Sequence, residues 1–174
     1  YMSKNKANNK NKVKIEESVK QTFYSNKYFP VLISILFIVI GLASAISLSW
    51  ISDDAFITLR YAKNFIEGKG LVYNMGEYIE GYTNFLWLMI IVGFNYIGFE
   101  SVSFSTYFSL LFYISIIVLM VYLNWKSNKN VFVFPLTAAI LVSHYDFRIW
   151  ATSGLETMMF TFIVTLAIVL PLII

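Results

Sequence analysis

Long apolar runs alternate with short polar segments from residue 29 to the end of the sequence. An α-helix needs about 20 mostly apolar residues to cross the hydrocarbon core of a bilayer, and a helix satisfies its backbone polar groups internally there. The pattern therefore predicts an all-α, polytopic membrane helix bundle. We expect its spanning helices over about 30–50, 103–124, 131–145 and 155–174.

The composition supports a membrane protein. Hydrophobic residues make up 58% of the chain and charged residues only 13%, a balance that excludes an ordinary soluble domain. The sequence contains no cysteine, which excludes disulfides and thiolate metal sites. The last apolar run reaches Ile174 without flanking charge, so we expect an amino-terminal fragment of a larger protein.

Lysine and asparagine crowd residues 1–28, and that segment has too few apolar residues to form a core. We predict a disordered tail there, followed by a membrane domain over 29–174. Cytoplasmic segments of membrane proteins carry an excess of Lys and Arg, so the tail should be cytoplasmic and the segment after the first helix extracytoplasmic. No nucleic-acid-binding motif accompanies the lysines, so we expect no nucleic-acid partner.

The polar segment after the first helix is predicted to form an outer loop over 51–102, with two surface helices over about 53–67 and 84–98. Ser52 is a residue type that caps helices, and Gly68 suits a helix end. Apolar residues recur at helical spacing between these two positions, which predicts an amphipathic helix. Its apolar face comprises Phe56, Leu59, Ala62, Phe65 and Ile66.

The short apolar run over 85–99 decides on which side of the membrane the later segments lie. If it spans, Lys126 and Lys129 fall outside. If it is interfacial or re-entrant, the lysines fall inside and HYDFRIWATSGLE, residues 144–156, falls outside. The run is too short for a typical span, and basic residues favour the inside, so we prefer the second arrangement. The segments SDDAF, EGYTN and HYDFRIWATSGLE then share the outer face.

Asp53 and Asp54 follow directly on the first apolar run, where carboxylates are costly. One acid in the first turn of a helix is stabilised by the helix dipole, by about 0.3–1 kcal/mol. Capping needs only one acid, and the Ser52 hydroxyl can already cap the helix, so no structural role requires the second acid. The pair predicts a general base or a metal site at a polar cavity.

Four further residues are candidates for binding a substrate: Arg60, Glu80, Arg148 and Glu156. A guanidinium matches phosphate oxygens with two parallel hydrogen bonds, which favours Arg148, although snorkelling toward lipid headgroups would explain this arginine too. Glu80 is also consistent with a solvated loop acid. Ser153 and Glu156 fit the S-x-x-E capping box at the start of the last helix.

The loop sequence DDAFITLRYAKNFIEGKGLVYNMGEYIEGYTNFLW, together with SGLET at 153–157, resembles bacterial polyprenyl-phosphate-dependent glycosyltransferases of the GT-C fold. It is most similar to the terminal arabinofuranosyltransferase-like branch, whose members show an aspartate pair after the first helix, then a glycine-rich loop and EGYTN. The resemblance covers about residues 30–174. It implies a GT-C-like amino-terminal half and supports the arrangement in which the short run does not span.

The resemblance implies that Asp53 and Asp54 form the catalytic acid site and that Glu80 and Glu156 line it. It also implies a polyprenyl-phosphate-sugar donor at the outer face of the cell membrane, with a cell-envelope glycan, lipid or protein as acceptor. We expect one aspartate to be the general base of an inverting transfer. An arginine, or Mg²⁺ or Mn²⁺ bound by the aspartates, would hold the phosphate.

Two other classes of protein fit the same pattern. A transporter or lipid flippase would also place acids and an arginine at a membrane cavity, but the predicted spanning helices carry no mid-bilayer charge. A non-catalytic subunit for membrane assembly is the other alternative. The donor sugar, the acceptor and the choice between Asp53 and Asp54 stay open at this level.

Overall fold

The computed structural model describes residues 28–127 and 135–173. Within these two ranges every regular element is a helix, so the all-α prediction is confirmed there. The predicted tail lies outside the described residues, apart from its last residue. So does the first part of the helix predicted over 131–145.

Seven α-helices follow one another along the described ranges, with a 3-10 turn before the last. They are α1 Tyr28–Ser47, α2 Asp53–Ile66, α3 Phe85–Tyr96, α4 Ser101–Ser127, α5 Leu136–Ser143, α6 Tyr145–Ile149 and α7 Thr157–Ile173, and the 3-10 turn is Trp150–Thr152.

One helix in the described part of the chain is long and apolar enough to cross a membrane, namely α4 over Ser101–Lys126. At 1.5 Å per residue it extends for about 40 Å, which exceeds a hydrocarbon core of about 30 Å. Shorter apolar helices accompany it at Val31–Ser47, Phe85–Tyr96 and Thr157–Pro171.

Helix α4 runs through both hydrophobic clusters of the described residues. Tyr113 and Ile117 of α4 pack with α1, α5 and the 3-10 turn in the first cluster. Phe104, nearer the start of α4, joins α2 and α3 in the second. The rings of Phe94 and Phe104 stack at 4.2 Å, which fastens α3 to α4. Helix α4 thus connects the surface layer of α2 and α3 to the apolar helices beside it.

The buried face of α2 differs from the predicted one. Leu59 and Ala62 are buried as expected, but Phe56 is 50% exposed and Phe65 is 37% exposed. Three polar residues, Thr58, Tyr61 and Asn64, are buried instead. Each makes a hydrogen bond to a distant part of the chain, and these bonds compensate the desolvation of the polar groups.

The ends of α2 are set by backbone geometry. Gly68 has φ +76° and its N–H donates to the Phe65 carbonyl, so the predicted glycine helix end is confirmed. Ser52 occupies the position before the helix, but its side chain makes no capping hydrogen bond, so the predicted side-chain cap is wrong. The Ser52 backbone is used for a long-range contact instead.

The helix predicted over 131–145 ends at Ser143 in the structure. His144 has extended backbone angles, and its Nδ1 accepts a hydrogen bond from the Phe147 N–H at 3.4 Å. This contact starts the short helix α6. The helix predicted from residue 155 begins at Thr157, after the 3-10 turn and a bend.

Candidate active site

The amino-terminal ends of α2, α3 and α7 meet at one place. The Ser52 N–H, just before α2, donates to the Ser153 carbonyl at 2.9 Å. Asn84, just before α3, donates through Nδ2 to Oε2 of Glu156, just before α7, at 2.7 Å. The amino-terminal end of a helix carries partial positive charge and unpaired N–H groups. Three such ends in contact favour negative charge in the space between them.

Asp53 and Asp54 form the first turn of α2 at this meeting point. Both side chains are exposed. Among the described residues neither carboxylate forms an ion pair, since the ion pairs there join Lys63 and Lys69 to Glu67 at the other end of α2. The two carboxylates are therefore available to a ligand.

A short seam of hydrogen bonds holds the start of α2 against the segment before α7. The Trp50 indole N–H donates to the Ile149 carbonyl at 2.8 Å, and the Trp50 backbone N–H donates to Thr152 Oγ1 at 3.4 Å. The bond from Ser52 to Ser153 continues the seam outward. The two segments run in the same direction, so the order of residues along one matches the order along the other.

Gly154 allows these segments to pack closely. It has φ +78°, and a Cβ there would lie 3.2 Å from Ala55 Cβ and 3.3 Å from Ser105 Oγ. Its carbonyl accepts a hydrogen bond from the buried Trp87 indole N–H at 3.0 Å. The glycine of SGLET is thus required by both backbone angle and space.

Asn84 connects the three sequence segments that carry the candidate residues. Its Oδ1 accepts from Thr58 Oγ1 at 3.1 Å, one helical turn after Asp54, while its Nδ2 donates to Glu156. The bonds bridge 26 and 72 positions of sequence. The structure therefore brings the segments DDAFIT, EGYTN and SGLET together.

The capping box expected from Ser153 and Glu156 is absent. The Ser153 hydroxyl donates to the Trp150 carbonyl and accepts from the Leu155 N–H at 3.3 Å, within the bend before α7. The Glu156 carboxylate reaches Asn84 rather than the Ser153 backbone. The capping prediction is wrong because the positive φ of Gly154 prevents a helix from starting at Ser153.

Glu80 lies on a loop that is fixed by the hydroxyl of Tyr61. That hydroxyl donates to the Ile79 carbonyl at 2.8 Å and accepts from the Gly81 N–H at 3.0 Å. A Cβ at Gly81 would lie 2.7 Å from the Tyr61 oxygen, so the glycine of EGYTN permits this approach. The Glu80 side chain itself is exposed.

Tyr82 is the neighbouring aromatic residue, and its ring contacts Tyr61 at 5.0 Å. Burial raises the pKa of the Tyr82 hydroxyl, and the negative charge of Glu80 raises it further. The hydroxyl therefore stays protonated at neutral pH and can donate a hydrogen bond beside Glu80.

Arg60 contacts Tyr73 in the loop that follows α2. Its Nε donates to the Tyr73 carbonyl at 3.4 Å, and its guanidinium lies 5.6 Å from the centre of the Tyr73 ring. Asn64 donates to the same carbonyl at 2.9 Å. These bonds give Arg60 a role in holding the glycine-rich loop against α2.

Arg148 lies at the opposite end of the seam from the aspartates. Its Nη1 donates to the Ser44 hydroxyl in the last turn of α1 at 2.6 Å. Its Nε is buried without a hydrogen-bond partner among the described residues, and no carboxylate there pairs with it. Trp50 and Trp150 contact edge to face near the same end of the seam, with ring centroids 5.5 Å apart.

The described residues contain no group of three or more His, Cys, Asp or Glu side chains that could hold a metal ion. Mg²⁺ is often bound by one or two carboxylates together with substrate phosphates. Asp53 and Asp54 could supply such a pair. A metal at this pair stays a prediction.

Four residues that position the site were missed by sequence reasoning: Thr58, Tyr61, Asn64 and Asn84. The sequence signal for Asn84 is its place in EGYTN, the segment that also contains Glu80. The other three are polar residues on a helix whose apolar residues suggested a different buried face. Their partners are 8 to 26 positions away, so no local pattern reveals them.

Comparison with known proteins relates the chain to glycosyltransferases. It is 28% identical over 119 residues to the terminal beta-(1->2)-arabinofuranosyltransferase of Mycobacterium tuberculosis, over 62% of this chain and 18% of that protein. It is 50% identical over 38 residues to the terminal beta-(1->2)-arabinofuranosyltransferase of Corynebacterium glutamicum, over 22% of this chain and 6% of that protein. The matches therefore span less than a fifth of either relative. No family model and no solved structure matches the chain.

Proposed function

We propose that the protein is a membrane glycosyltransferase that moves a sugar from a polyprenyl-phosphate donor to an acceptor hydroxyl at the outer face of the membrane. Similarity to arabinofuranosyltransferases supports the class of reaction. The donor, the inverting mechanism and the base are our inference from the site. The acceptor would be a glycan, lipid or protein of the cell envelope.

The observation that carries the proposal is the placement of opposite charges along the seam. Arg148 donates a hydrogen bond to the last turn of α1, and the indole rings of Trp50 and Trp150 contact each other near the same end of the seam. In the proposed orientation, the phosphate of a membrane lipid would lie at this end. Asp53 and Asp54 lie beyond the other end of the seam, at the start of α2. A lipid-linked sugar phosphate has the same order, with the phosphate at the lipid and the sugar beyond it.

Each charged group then has a role in the transfer. One aspartate removes the proton from the acceptor hydroxyl while that oxygen attacks the anomeric carbon of the donor sugar. The bond between the anomeric carbon and the phosphate oxygen breaks, and polyprenyl phosphate leaves with the electron pair. Attack from the opposite face inverts the anomeric centre. Arg148 stabilises the negative charge on the departing phosphate.

Glu156 and Glu80 would contact the sugar in this arrangement. A carboxylate accepts hydrogen bonds from sugar hydroxyls and stabilises positive charge that develops on the ring. Glu156 lies at the meeting point of the three helices, and the Tyr61 hydroxyl fixes the loop of Glu80. Arg60 has a supporting role, because its guanidinium is used on Tyr73.

The proposal includes a GT-C-like fold that crosses the membrane several times. Helix α4 is the span that length and composition support most strongly. Helices α1 and α7 would be further spans, and the segment predicted to span over about 131–145, whose last part is α5, would return the chain to the outer face. Helix α3 would lie at the outer interface, and the amino terminus would be cytoplasmic. Trp125 and Lys126 at the end of α4 suit an inner interface.

Single substitutions of the aspartates test the proposal. Asp53→Asn and Asp54→Asn keep the size of each side chain and remove its charge. In the complete protein that contains this chain, at least one should lower sugar transfer by about 10²–10⁴-fold, the contribution of a positioned base. Glu67→Gln, at the far end of the same helix, is the matched control and should keep normal activity. If both aspartate variants transfer sugar at the wild-type rate, the base assignment is wrong.

A further inference from the structure

We propose that Asn84 is a positioning residue that holds the Glu156 carboxylate toward the donor sugar, with Thr58 fixing the orientation of the Asn84 amide. This inference rests on the proposed function. It adds a residue that the sequence did not single out and a reason for the asparagine of EGYTN.

The donor and acceptor chemistry of the three groups permits one arrangement. An ionised carboxylate only accepts hydrogen bonds, so the Asn84 group that faces Glu156 must be the NH₂. The Asn84 oxygen then points to α2, where Thr58 donates to it at 3.1 Å. Thr58 is 4% exposed, so its end of that bond is shielded from water. The amide therefore cannot turn over without losing its bond to Glu156, because the amide oxygen would then face the carboxylate.

The side chain of Asn84 forms this bridge instead of capping the start of α3. Asparagine before a helix commonly caps the first turn, yet Asn84 makes no capping bond to α3. It forms a bond to a charged group at 2.7 Å, which is shorter and stronger than a neutral one. A residue that gives up a local interaction for a long-range one is expected at a functional site.

The bridge occupies one oxygen of Glu156 and leaves the other available. Oε2 accepts from Asn84, and the side chain is partly exposed. The free oxygen can accept a hydrogen bond from a hydroxyl of the sugar. Asp54 lies one helical turn before Thr58, so the bridge holds Glu156 to the helix that carries the aspartate pair. The bridge thus fixes the distance between the sugar-binding carboxylate and the aspartate pair.

An exchange of the two groups separates this role from a purely structural one. Asn84→Asp combined with Glu156→Gln keeps both sizes and restores a hydrogen bond of reversed direction, because the introduced glutamine amide donates and the introduced aspartate carboxylate accepts. The measurements are thermal unfolding in detergent and release of farnesyl phosphate, the short polyprenyl phosphate that leaves from farnesyl-phosphate-linked arabinofuranose, glucose and mannose, with cell-envelope glycan supplying the acceptor hydroxyl. Both measurements use the complete protein. Thr58→Val removes the hydroxyl that binds Asn84, and Thr58→Ser, which keeps the hydroxyl, is its control.

We expect Asn84→Ala to lower kcat/KM by at least tenfold, mainly through KM for the donor. Asn84→Asp alone should lower the unfolding temperature at neutral pH, where two carboxylates face each other, and should recover on acidification. The exchanged double variant should recover the wild-type unfolding temperature while kcat/KM stays at least tenfold low. Thr58→Val should lower kcat/KM several-fold and Thr58→Ser should not.

The outcomes distinguish the positioning role of Asn84 from the proposed transfer activity. If the wild-type protein is active and the exchanged double variant recovers activity together with stability, Asn84 is only structural and this inference is overturned. If the wild-type protein releases polyprenyl phosphate from none of the three donors, the proposed function fails, and the role of Asn84 fails with it.

Discussion

At the scale of single residues, the site depends on glycines and hydroxyls that place the charged groups. Gly154 and Gly81 allow backbone segments to approach α2 more closely than any other residue type would. Tyr61 and Thr58 then bind the approaching segments through their hydroxyls. Asp53, Asp54 and Glu80 themselves are exposed.

Gly154→Ala should lower the free energy of unfolding by more than the cost of its backbone angle alone. A positive φ costs an L-residue about 1–2 kcal/mol, and here the new Cβ would also crowd Ala55 and Ser105. Gly70→Ala is the matched control, since Gly70 has φ +87° with no atom within 4 Å of a Cβ. Thermal unfolding of both variants tests this. Equal losses would contradict close packing at Gly154.

Tyr61→Phe should loosen the loop that carries Glu80. The variant keeps the ring in its cluster and removes one donated and one accepted hydrogen bond, each worth about 0.5–1.5 kcal/mol. Hydrogen exchange at the Gly81 amide should quicken, and KM for the donor should rise. Tyr78→Phe, at a residue that is 90% exposed, is the control. Unchanged exchange at Gly81 would show that the hydroxyl does not hold this loop.

The sequence singled out the acids as candidates but not the residues that hydrogen-bond around them. Asp53, Asp54 and Glu156 stood out because charge is rare in an apolar chain, and their roles stay predictions. Asn84, Thr58 and their partners could not be predicted, because their contacts depend on how three helices pack. The predicted side-chain cap of Ser52 failed for the same reason: tertiary contacts outweighed the local preference.

At the scale of helices, the existence and type of the elements followed from the apolar pattern, while their ends depended on individual side chains. The surface helix predicted over 53–67 is observed as Asp53–Ile66, and the one predicted over 84–98 as Phe85–Tyr96. The buried face of α2 was misjudged because apolar spacing cannot detect buried polar residues that have distant partners.

The start of α4 provides a pH-dependent test. The Glu100 carboxylate accepts from the Val102 and Ser103 N–H groups at 2.9 and 2.6 Å. The Ser103 bond is the main cause that lowers the pKa of Glu100 below the ordinary value of 4.5. The stability from this cap is therefore complete above about pH 4.5 and is lost as the pH falls through the lowered pKa.

Glu100→Gln should lower the unfolding temperature at neutral pH, since it weakens the bonds to the first turn of α4. The difference from the wild type should shrink as the pH falls below about 4.5, where the wild-type carboxylate becomes protonated. Thermal unfolding between about pH 3 and 7, roughly the range over which a carboxylate titrates, measures this difference in unfolding temperature. Glu77→Gln is the control. A difference that does not change with pH would contradict the cap.

At the scale of the whole molecule, the proposed arrangement relative to the membrane rests on the distribution of charge and places α2 and α3 at the outer face. The absence of cysteine makes each introduced cysteine the single thiol of this chain. Tyr78→Cys, in the loop before α3, should react with a membrane-impermeant maleimide on intact cells. Ser127→Cys, at the end of α4, should react only after permeabilisation. Labelling of Ser127→Cys from outside would reverse the proposed orientation.

The central claim is that the exposed aspartate pair at the start of α2 acts on a lipid-linked sugar phosphate. The most direct test is release of polyprenyl phosphate from such a donor by membranes that contain the complete protein, compared between the wild type and the Asp53→Asn, Asp54→Asn double variant. The account predicts release by the wild type and a loss of about 10²–10⁴-fold in the double variant. Equal release by the two proteins would contradict it.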